Sequence, residues 1–447
     1  MPNFIKINNK IKSFKKTIIV DTDKSISIRS LIFASLASGI SEVKHLLESE
    51  DIFHTINCLK QLGVKITKIK KKYLISGVGI NNFNYKKKII LDAGNSGTLA
   101  RLITSILIKS PNKVRIVGDK SLSKRDFKRI INPLSNFGAK FYPKNKTTLP
   151  LSIKKYSDIK LNKFIENKGS AQVKSAIMLA ALNFNSETEI LAKKSRNHTE
   201  NFFKFLNIPI RIKKKQKYDI IKVRGVKSFK SFNYNIPSDI SSGLFFIALA
   251  ILTKNSEITL KNININISRM GAIDILKRMG VKFVFKNKKK YKGEEISDII
   301  VKSPKVIMPI NCPSKMNSRA IDEFLIIFLI AAKANGTSYF KDIGELNQKE
   351  SPRLKLASKF LKYIGVKNYS TNNSIKIIGN PKLDLNGNYK IKNFFKDHRI
   401  FMMSTIAALT LGGNWKIFDP DCFKTSFPSF LKLIKKAGGK YELNSKI

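Results

Sequence analysis

The sequence predicts an α/β protein built from six copies of one unit, grouped as two domains of three. Helix entries marked by Ser or Asp recur about every 70 to 80 residues, a period typical of a structural repeat. Each copy then closes on a second helix that ends in a Gly or Asn turn before a strand. A chain of 447 residues is also too long for one hydrophobic core.

The first helix of each copy is predicted to begin at a polar residue that can cap its free N–H groups. These entries are Ser25, Ser96, Ser170, Ser241, Asp322 and Asp397. An apolar run of about three turns follows each entry. If the three first helices of a domain run side by side, their amino ends converge on one surface, where the helix dipoles favour phosphates and carboxylates.

The second helix of each copy is predicted to end in a left-handed residue, for which Gly or Asn is best suited. The turns are Leu62–Ile66, Phe137–Phe141, Leu206–Ile210, Met279–Phe283, Ile364–Lys367 and Ala437–Tyr441. Their recurrence supports the six-fold repeat.

Composition indicates a folded protein of the cytoplasm. The hydrophobic fraction of 43% is ordinary. The longest apolar runs, Leu244–Leu252 and Phe324–Ala332, are much shorter than the span of about 20 residues that a membrane helix needs. The amino-terminal stretch resembles a strand rather than a cleavable signal. Three cysteines at unrelated spacings argue against a disulfide framework or a zinc site.

The formal charge of +53 raises the possibility of nucleic-acid binding. The lysines, however, are scattered through every copy instead of forming one stripe, so we interpret the charge as a compositional bias. Runs such as Lys286–Lys290 lie near hairpin-like segments, where lysine discourages the pairing of sheet edges.

Three arginines stand in helix-entry loops, where the helix dipole already disfavours a cation: Arg125, Arg353 and Arg399. A bound anion is the natural compensation. Taken singly, the other polar residues have simpler interpretations. A Ser at a helix start is usually a cap, Asp322 can be one too, His398 fits an interior histidine, and Lys349 with Glu350 fits an exposed ion pair.

Six ordered motifs together resemble one known family. They are Asp23–Arg29, Gly94–Thr98, Gly118–Leu122, Ser170–Ala176, Lys349–Arg353 and Asp397–Arg399. The chain is similar to the 5-enolpyruvylshikimate-3-phosphate synthase family from about Lys24 to Pro428, which is nearly its whole length.

The resemblance implies an enolpyruvyl transferase-like fold, with two domains of three βαβαββ units each and a substrate cleft between them. One domain would be continuous and span residues 23–238. The other would combine residues 1–22 with residues 239–447. The chain would cross between the domains near residues 21–23 and 236–239.

The implied reaction transfers the enolpyruvyl group of phosphoenolpyruvate to the 5-hydroxyl of shikimate 3-phosphate and releases phosphate by addition and elimination. It belongs to the shikimate pathway, which supplies chorismate for aromatic amino acids. The resemblance implies no metal and no organic cofactor. We expect a monomer with two small-molecule substrates and no nucleic-acid or membrane partner. The family is the target of glyphosate, which occupies the phosphoenolpyruvate pocket.

The family's site residues carry over by position. Shikimate 3-phosphate would be bound by Lys24, Ser25, Arg29, Ser170, Ala171, Gln172, Arg196, Asp322 and Lys349. Phosphoenolpyruvate would be bound by Lys24, Asn95, Gly97, Arg125, Gln172, Arg353 and Arg399. Asp322 would be the base for the attacking hydroxyl and Glu350 the proton donor to the methylene carbon, with Lys24 assisting. Guanidinium groups suit the phosphates and carboxylate because they bind oxyanions in pairs and keep their charge.

The chain departs from the family pattern in three places. Pro352 stands where Asp is usual, and Asp126 stands where Pro is usual. Thr425 precedes Ser426 where some members have a lysine that contacts phosphoenolpyruvate, and Lys424 lies one residue earlier.

Two alternatives stay open at this point. A related transferase acts on UDP-N-acetylglucosamine and normally carries a reactive Cys in its second unit, but residues 109–125 contain none. An RNA-binding or RNA-processing protein would suit the charge. It would need a nucleophilic His or aromatic stacking platforms, whereas Phe and Tyr here occupy mostly periodic core positions.

Overall fold

Twenty-four strands and thirteen helices are formed by residues 3–86, 88–157 and 162–444, the part of the chain that the computed structural model describes. The strands are β1 (Phe4–Ile7), β2 (Lys15–Ile18), β3 (Ser38–Lys44), β4 (Lys65–Ile69), β5 (Lys72–Val78), β6 (Ile89–Asp92), β7 (Val114–Val117), β8 (Ala139–Tyr142), β9 (Leu151–Lys155), β10 (Lys163–Glu166), β11 (Glu187–Lys193), β12 (Ile210–Lys214), β13 (Tyr218–Arg224), β14 (Asn233–Asn235), β15 (Glu257–Asn264), β16 (Phe283–Tyr291), β17 (Glu294–Lys302), β18 (Asn311–Cys312), β19 (Thr337–Lys341), β20 (Asn368–Ser370), β21 (Ser374–Ile378), β22 (Leu385–Ile391), β23 (Gly412–Phe418) and β24 (Glu442–Asn444).

The helices are α1 (Lys24–Leu36), α2 (Glu50–Gln61), α3 (Gly97–Ile106), α4 (Lys128–Asn136), α5 (Ala171–Ala181), α6 (His198–Phe205), α7 (Ile240–Leu252), α8 (Gly271–Arg278), α9 (Asn317–Ala320), α10 (Phe324–Ala331), α11 (Arg353–Tyr363), α12 (His398–Leu411) and α13 (Phe430–Ala437). None of the helices in the described ranges is long and apolar enough to cross a membrane. The predicted α/β class is confirmed.

The chain divides into two compact units. The central unit comprises Thr22–Ile236 together with Tyr291–Glu294. The terminal unit comprises Met1–Asp21, Pro237–Lys290 and Glu295–Ile447. Residues 87 and 158–161 of the predicted continuous domain, and residues 1, 2 and 445–447 of the predicted discontinuous domain, lie outside the described ranges. The repeat does not predict that the turn at Tyr291–Glu294 belongs with the central unit.

The central unit contains three four-stranded sheets of the same design. Their strand orders are β14-β3-β5-β4, β6-β7-β9-β8 and β10-β11-β13-β12. In each sheet the first two strands are parallel and the other neighbours are antiparallel. β14 follows the third copy in the chain but completes the sheet of the first copy, where Asn233 lies opposite Glu42.

The terminal unit repeats this design with strands from both chain ends. Its sheets have the orders β16-β17-β15-β2, β18-β19-β21-β20 and β22-β23-β1-β24. The amino-terminal strand β2 runs parallel to β15, and β1 lies antiparallel between β23 and β24. The edge strand β16 carries Lys286 and Lys288–Lys290 as exposed side chains, in agreement with the predicted role of lysine at a sheet edge.

The first helices of the copies form the interior of each unit. α1, α3 and α5 pack together in the central unit, and α7, α10 and α12 pack together in the terminal unit. Every residue of α7 and of α10 is buried. These helices are apolar on all sides, as expected for helices that solvent does not reach. The second helices of the copies are amphipathic and bury one face.

Most buried helices begin at a side chain that accepts a backbone hydrogen bond, as predicted. Ser96, Ser170 and Asp397 are the N-caps of α3, α5 and α12. In two copies the cap lies two residues earlier than predicted. Asp23 accepts the N–H of Ile26 and Asp239 accepts the N–H of Ser241, so the predicted entries Ser25 and Ser241 lie in the first turn.

The cap moves because a carboxylate is a strong acceptor for the free N–H groups, and in both copies an Asp precedes the Ser. Asp322 is not a cap at all. It lies in the turn between α9 and α10, and its carboxylate bonds to other side chains.

The closing turns are confirmed. Their left-handed residues are Gly63, Gly138, Asn207, Gly280, Gly365 and Gly438, each with a positive φ. The three cysteines are free and buried.

A second set of glycines lies at the ends of strands β5, β13 and β21, next to backbone carbonyl groups at or just after the carboxyl end of a buried helix. A Cβ atom on Gly77 would lie 2.2 Å from the carbonyl oxygen of Ala37. The corresponding distances are 2.4 Å from Phe184 for Gly225 and 2.3 Å from Ala334 for Gly379. Because the neighbouring atoms belong to the backbone, they cannot move aside easily.

We expect Gly77→Ala to lower the free energy of unfolding by about 3 kcal/mol, the upper range for overpacking a dense interior. Chemical denaturation monitored by circular dichroism measures this change. Gly387→Ala is the matched control, because the nearest atom to its Cβ, at 3.3 Å, is the hydroxyl oxygen of the Tyr389 side chain. Equal stability of the two variants would contradict the close backbone approach at Gly77.

Candidate active site

In the central unit, the predicted site residues gather at the amino ends of the buried helices. Lys24 and Ser25 form the first turn of α1, and Gly97 is the first residue of α3. Ala171 and Gln172 are the first two residues of α5. Each therefore lies next to a cap, where free N–H groups and the helix dipole favour an anion.

Arg29 is a buried cation that bonds to hydroxyl groups. Its Nε donates to Thr199 Oγ1 at 2.8 Å, and its Nη2 donates to Ser175 Oγ at 3.0 Å. Burial lowers the pKa of Arg29 to about 10, against the partial compensation of Glu200 and Asp23. The guanidinium therefore stays charged at neutral pH in an environment that favours a bound anion.

Arg196 belongs to the same region. It lies in the loop between β11 and α6, and its positive charge contributes to lowering the pKa of Arg29. Two guanidinium groups that disfavour each other's charge are a suitable site for a doubly charged phosphate.

Lys24 is held in place by a carboxylate. Its Nζ lies 3.0 Å from Oδ2 of Asp51, a buried residue in the first turn of α2. Asp51 was not predicted as part of the site, because its position in the motif-free helix α2 carries no sequence signal.

A hydrogen-bonded chain orients Arg125. Asp119 accepts from Asn95 Nδ2 at 2.6 Å, and Asn95 Oδ1 accepts from Arg125 Nη2 at 3.0 Å. Asp119 also accepts the N–H of Leu122 at 2.7 Å. The amide of Asn95 thus presents its oxygen to the guanidinium, and the predicted pair of Asn95 and Arg125 is in direct contact.

Gly97 faces two guanidinium groups. A Cβ atom at this position would lie 2.7 Å from Arg101 Nη1 and 2.9 Å from Arg125 Nη1. Arg101 donates to the carbonyl oxygen of Gly97 at 3.2 Å and to Gln172 Oε1 at 2.8 Å. The structure therefore brings Gly97, Arg125 and Gln172 together, with Arg101 between them.

Arg101 is not among the site residues predicted from the sequence. Its signal is the spacing of four residues from Gly97, which places both on one face of α3. The guanidinium also lies 4.9 Å from the centre of the Phe127 ring, and this contact holds it over the start of the helix.

In the terminal unit, Arg353 is the centre of a buried cluster of charges. Its Nε lies 2.9 Å from Asp397 Oδ2, and its Nη2 lies 2.5 Å from Glu350 Oε2. Its Nη1 lies 3.6 Å from Asp322 Oδ1, which is also 3.2 Å from Lys349 Nζ. Arg353 thus contacts two other predicted site residues, Asp322 and Glu350, and Lys349 contacts Asp322.

Charge balance in this cluster stabilises the ionised forms. Burial tends to lower the pKa of Arg353, but Asp397, Glu350 and Asp322 raise it above its ordinary value. Burial tends to raise the pKa of Asp397, but Arg353 and His398 hold it below its ordinary value of 3.8.

Arg399 is set apart from this cluster. Its backbone N–H donates to Asp397 Oδ1 at 2.9 Å, while its guanidinium makes no hydrogen bond or ion pair with any part of the chain that the structure describes. Lys424 pairs with Asp421 at 2.6 Å as an exposed ion pair. No group of three or more His, Cys, Asp or Glu residues within the described ranges is arranged to hold a metal ion.

A family model described as EPSP synthase (3-phosphoshikimate 1-carboxyvinyltransferase) matches residues 8–434. The chain belongs to the EPSP synthase family. A 3-phosphoshikimate 1-carboxyvinyltransferase of Thermodesulfovibrio yellowstonii is 37% identical over 433 residues, which cover 96% of this chain and 99% of that protein.

Solved structures agree with this assignment. EPSP synthase from Acinetobacter baumannii superposes with a TM-score of 0.86 at 33% identity and covers 99% of this chain and 100% of that one. The enolpyruvyl transferase NikO from Streptomyces tendae has a TM-score of 0.75 at 11% identity over the full length of both chains, a likeness that concerns the fold alone.

EPSP synthase activity follows from the family. The chain is a transferase that moves the enolpyruvyl group of phosphoenolpyruvate to shikimate 3-phosphate in aromatic amino acid biosynthesis. This assignment decides against the related transferase that uses UDP-N-acetylglucosamine.

We expect Asp397→Asn to lower the free energy of unfolding by about 3 kcal/mol at pH 7, because it removes a buried partner of Arg353. Because Asn can also cap α12, the decrease in the free energy of unfolding measures the contribution of the Asp397 charge. The lowered pKa means that the stabilisation is present above the ordinary value of 3.8 and is lost as the pH falls through the folded-state pKa.

The difference in the free energy of unfolding between wild type and Asp397→Asn should therefore become smaller below about pH 4. Urea titrations between neutral and acidic pH measure it. Asp421→Asn, which breaks an exposed pair, is the control and should leave the transition unchanged. A difference that stays constant with pH would contradict an ionised Asp397.

Proposed function

We propose that Asp322, Glu350 and Lys24 catalyse the transfer. Shikimate 3-phosphate first adds to phosphoenolpyruvate, and phosphate is then eliminated. The observation that carries this proposal is the pair of carboxylates, Asp322 and Glu350, on one buried guanidinium. An acid and a base held by one rigid group can act on two atoms of the same reacting centre.

Asp322 is suited to be the base. Lys349 and Arg353 both contact its Oδ1 and favour the ionised carboxylate, which is the form that accepts a proton. It takes the proton of the 5-hydroxyl of shikimate 3-phosphate as the hydroxyl oxygen bonds to C2 of phosphoenolpyruvate.

Glu350 supplies the proton that C3 of phosphoenolpyruvate gains in this addition. Arg353 lies 2.5 Å from the carboxylate and favours its ionised form. The carboxylate of phosphoenolpyruvate competes for the same guanidinium, and this competition allows Glu350 to be protonated in the complex. In the elimination, the Glu350 carboxylate takes one proton back from C3 as the C2–O bond to phosphate breaks, which gives the enolpyruvyl ether. Lys24 stabilises the negative charge of the departing phosphate.

The site residues, Lys24 and Asp322 among them, also bind the two substrates. For shikimate 3-phosphate we propose Lys24, Ser25, Arg29, Ser170, Ala171, Gln172, Arg196, Asp322 and Lys349. For phosphoenolpyruvate we propose Lys24, Asn95, Gly97, Arg125, Gln172, Arg353 and Arg399. Support comes from the charged Arg29, from the contact of Asn95 with Arg125, and from the uncompensated guanidinium of Arg399.

We also propose that the enzyme works as a cytoplasmic monomer with no nucleic-acid partner. The lack of a nucleic-acid partner is supported by the distribution of lysine over both units, including the exposed edge of β16, which is a solvated sheet edge rather than a basic groove.

The reaction itself is tested by phosphate release. With shikimate 3-phosphate as acceptor we expect release and, in deuterated water, deuterium in the methylene group of the product, because C3 is protonated before elimination. UDP-N-acetylglucosamine should support no release. Phosphate release with an unlabelled product at partial conversion would contradict protonation of C3.

Asp322→Asn and Glu350→Gln should each lower kcat by about 10²–10⁴, the usual contribution of a positioned acid or base. Binding of shikimate 3-phosphate, measured by calorimetry without phosphoenolpyruvate, should change little for Glu350→Gln. Glu345→Gln, a change in the 3₁₀ turn before the cluster, is the control. A loss of turnover matched by loss of folding in circular dichroism would make the two acids structural.

Gly97→Ala should raise the inhibition constant of glyphosate more than it raises KM for phosphoenolpyruvate. The added methyl group meets the guanidinium groups of Arg101 and Arg125, and the longer inhibitor has less room than the substrate. Overpacking costs about 1–3 kcal/mol, or roughly 5- to 150-fold in the inhibition constant. Inhibition assays on both forms decide the matter, and an unchanged ratio of the two constants would remove Gly97 from the pocket.

A further inference from the structure

The turn Tyr291–Glu294 is bound tightly to the other residues of the central unit. The Tyr291 hydroxyl accepts the N–H of Asn235 at 2.8 Å, and its ring lies 5.4 Å from that of Tyr234. The ammonium group of Lys292 lies 4.9 Å from the centre of the Phe205 ring. These contacts fix the position of a turn that carries a buried acid.

That acid is Glu294, whose side chain is 1% exposed. Its Oε1 lies 2.8 Å from Nδ1 of His198 and accepts from Nδ2 of Asn201 at 3.0 Å. Within the described part of the chain, Nε2 of His198 has no hydrogen-bond partner. The bond to Glu294 is therefore what sets the orientation of the imidazole ring.

His198 begins a helix turn in which three consecutive residues make buried polar contacts. Thr199 Oγ1 accepts from Arg29 Nε at 2.8 Å and lies 2.7 Å from Ser175 Oγ. Glu200 Oε1 lies 2.5 Å from Lys174 Nζ. The first turn of α6 thus connects Glu294 on one side with Arg29 on the other, and it directly follows the loop of Arg196.

A buried acid paired with a histidine is a costly way to stabilise a fold, because apolar residues of similar volume usually serve as well or better. What the pair contributes is orientation, since hydrogen bonds fix the angle and position of the groups that they join. Here the joined groups are the first turn of α6 and, through Thr199, the guanidinium of Arg29.

We propose that Glu294 is a positioning residue for the binding of shikimate 3-phosphate. It holds His198, and with it the first turn of α6, so that Thr199 aligns Arg29 and the preceding loop places Arg196. The inference rests on the proposed roles of Arg29 and Arg196 in binding this substrate.

Glu294→Ala should weaken the binding of shikimate 3-phosphate about tenfold, measured as Kd by calorimetry without phosphoenolpyruvate and as KM in the assay. KM for phosphoenolpyruvate and kcat should stay within about twofold, because the acid and base of the reaction are elsewhere. Glu294→Gln keeps an oxygen that accepts from Asn201 and from an Nδ1–H of His198, and it should restore Kd to within about threefold of wild type.

The neighbouring acid provides a matched control. Glu295 is exposed, and Glu295→Ala should leave Kd unchanged. If Glu294→Ala fails to fold, His198→Ala removes the same connection from the other side, leaves Glu294 bonded to Asn201, and should raise Kd by the same factor. Thr199→Val breaks the final contact with Arg29, so combining it with Glu294→Ala should raise Kd by less than the product of the two separate factors.

The Kd of Arg29→Ala for shikimate 3-phosphate shows whether a negative result contradicts the positioning role of Glu294 or the proposed binding site itself. If Arg29→Ala leaves Kd unchanged, the proposed role of Arg29 is wrong and the inference falls with it. If Arg29→Ala weakens binding while a folded Glu294→Ala does not, only the positioning role is overturned. Multiplicative effects of Thr199→Val and Glu294→Ala, or equal losses in kcat and in binding of both substrates, would also overturn it.

Discussion

The structure depends on satisfying the amino ends of helices that are buried on every side. An apolar helix can lie in the middle of a unit only if its first N–H groups find acceptors, because water cannot reach them. Asp23, Ser96, Ser170, Asp239 and Asp397 meet this need with their side chains. Polar chemistry is thereby concentrated at one end of each buried helix, and Lys24, Gly97, Ala171 and Arg399 each occupy the residue or turn immediately after a cap.

Two buried arginines show how burial directs a cation to different tasks. Arg29 bonds to hydroxyl and carbonyl oxygens, and burial lowers its pKa to about 10. Arg353 contacts three carboxylates, which raise its pKa. In the first arrangement the hydrogen-bond partners of the buried cation are neutral, so an anionic substrate can bind to it. The second holds the carboxylates of Glu350 and Asp322, the proposed acid and base, against one guanidinium.

Sequence patterns predicted the repeat and the residues near the caps, because both depend on local chemistry. The closing turns were predictable since a left-handed residue that ends a helix is usually Gly and sometimes Asn. The caps of α1 and α7 were predicted two residues too late, because Asp and Ser can both act as N-caps. Which of them does so depends on which side chain reaches the free N–H groups. Arg101 was missed although it lies four residues after Gly97, because the sequence does not show that its guanidinium donates a hydrogen bond to Gln172.

The sequence by itself determined the fold class, the six-fold repeat and the family, since each rests on periodicity or on ordered local motifs. Only the tertiary structure decided that Asp322 and Glu350 share Arg353, and that Glu294 bonds to His198 from 96 residues away. The physical reason is that helix ends and turns are set by neighbouring residues, whereas the pairing of buried charges depends on which surfaces the folded chain brings within hydrogen-bonding distance.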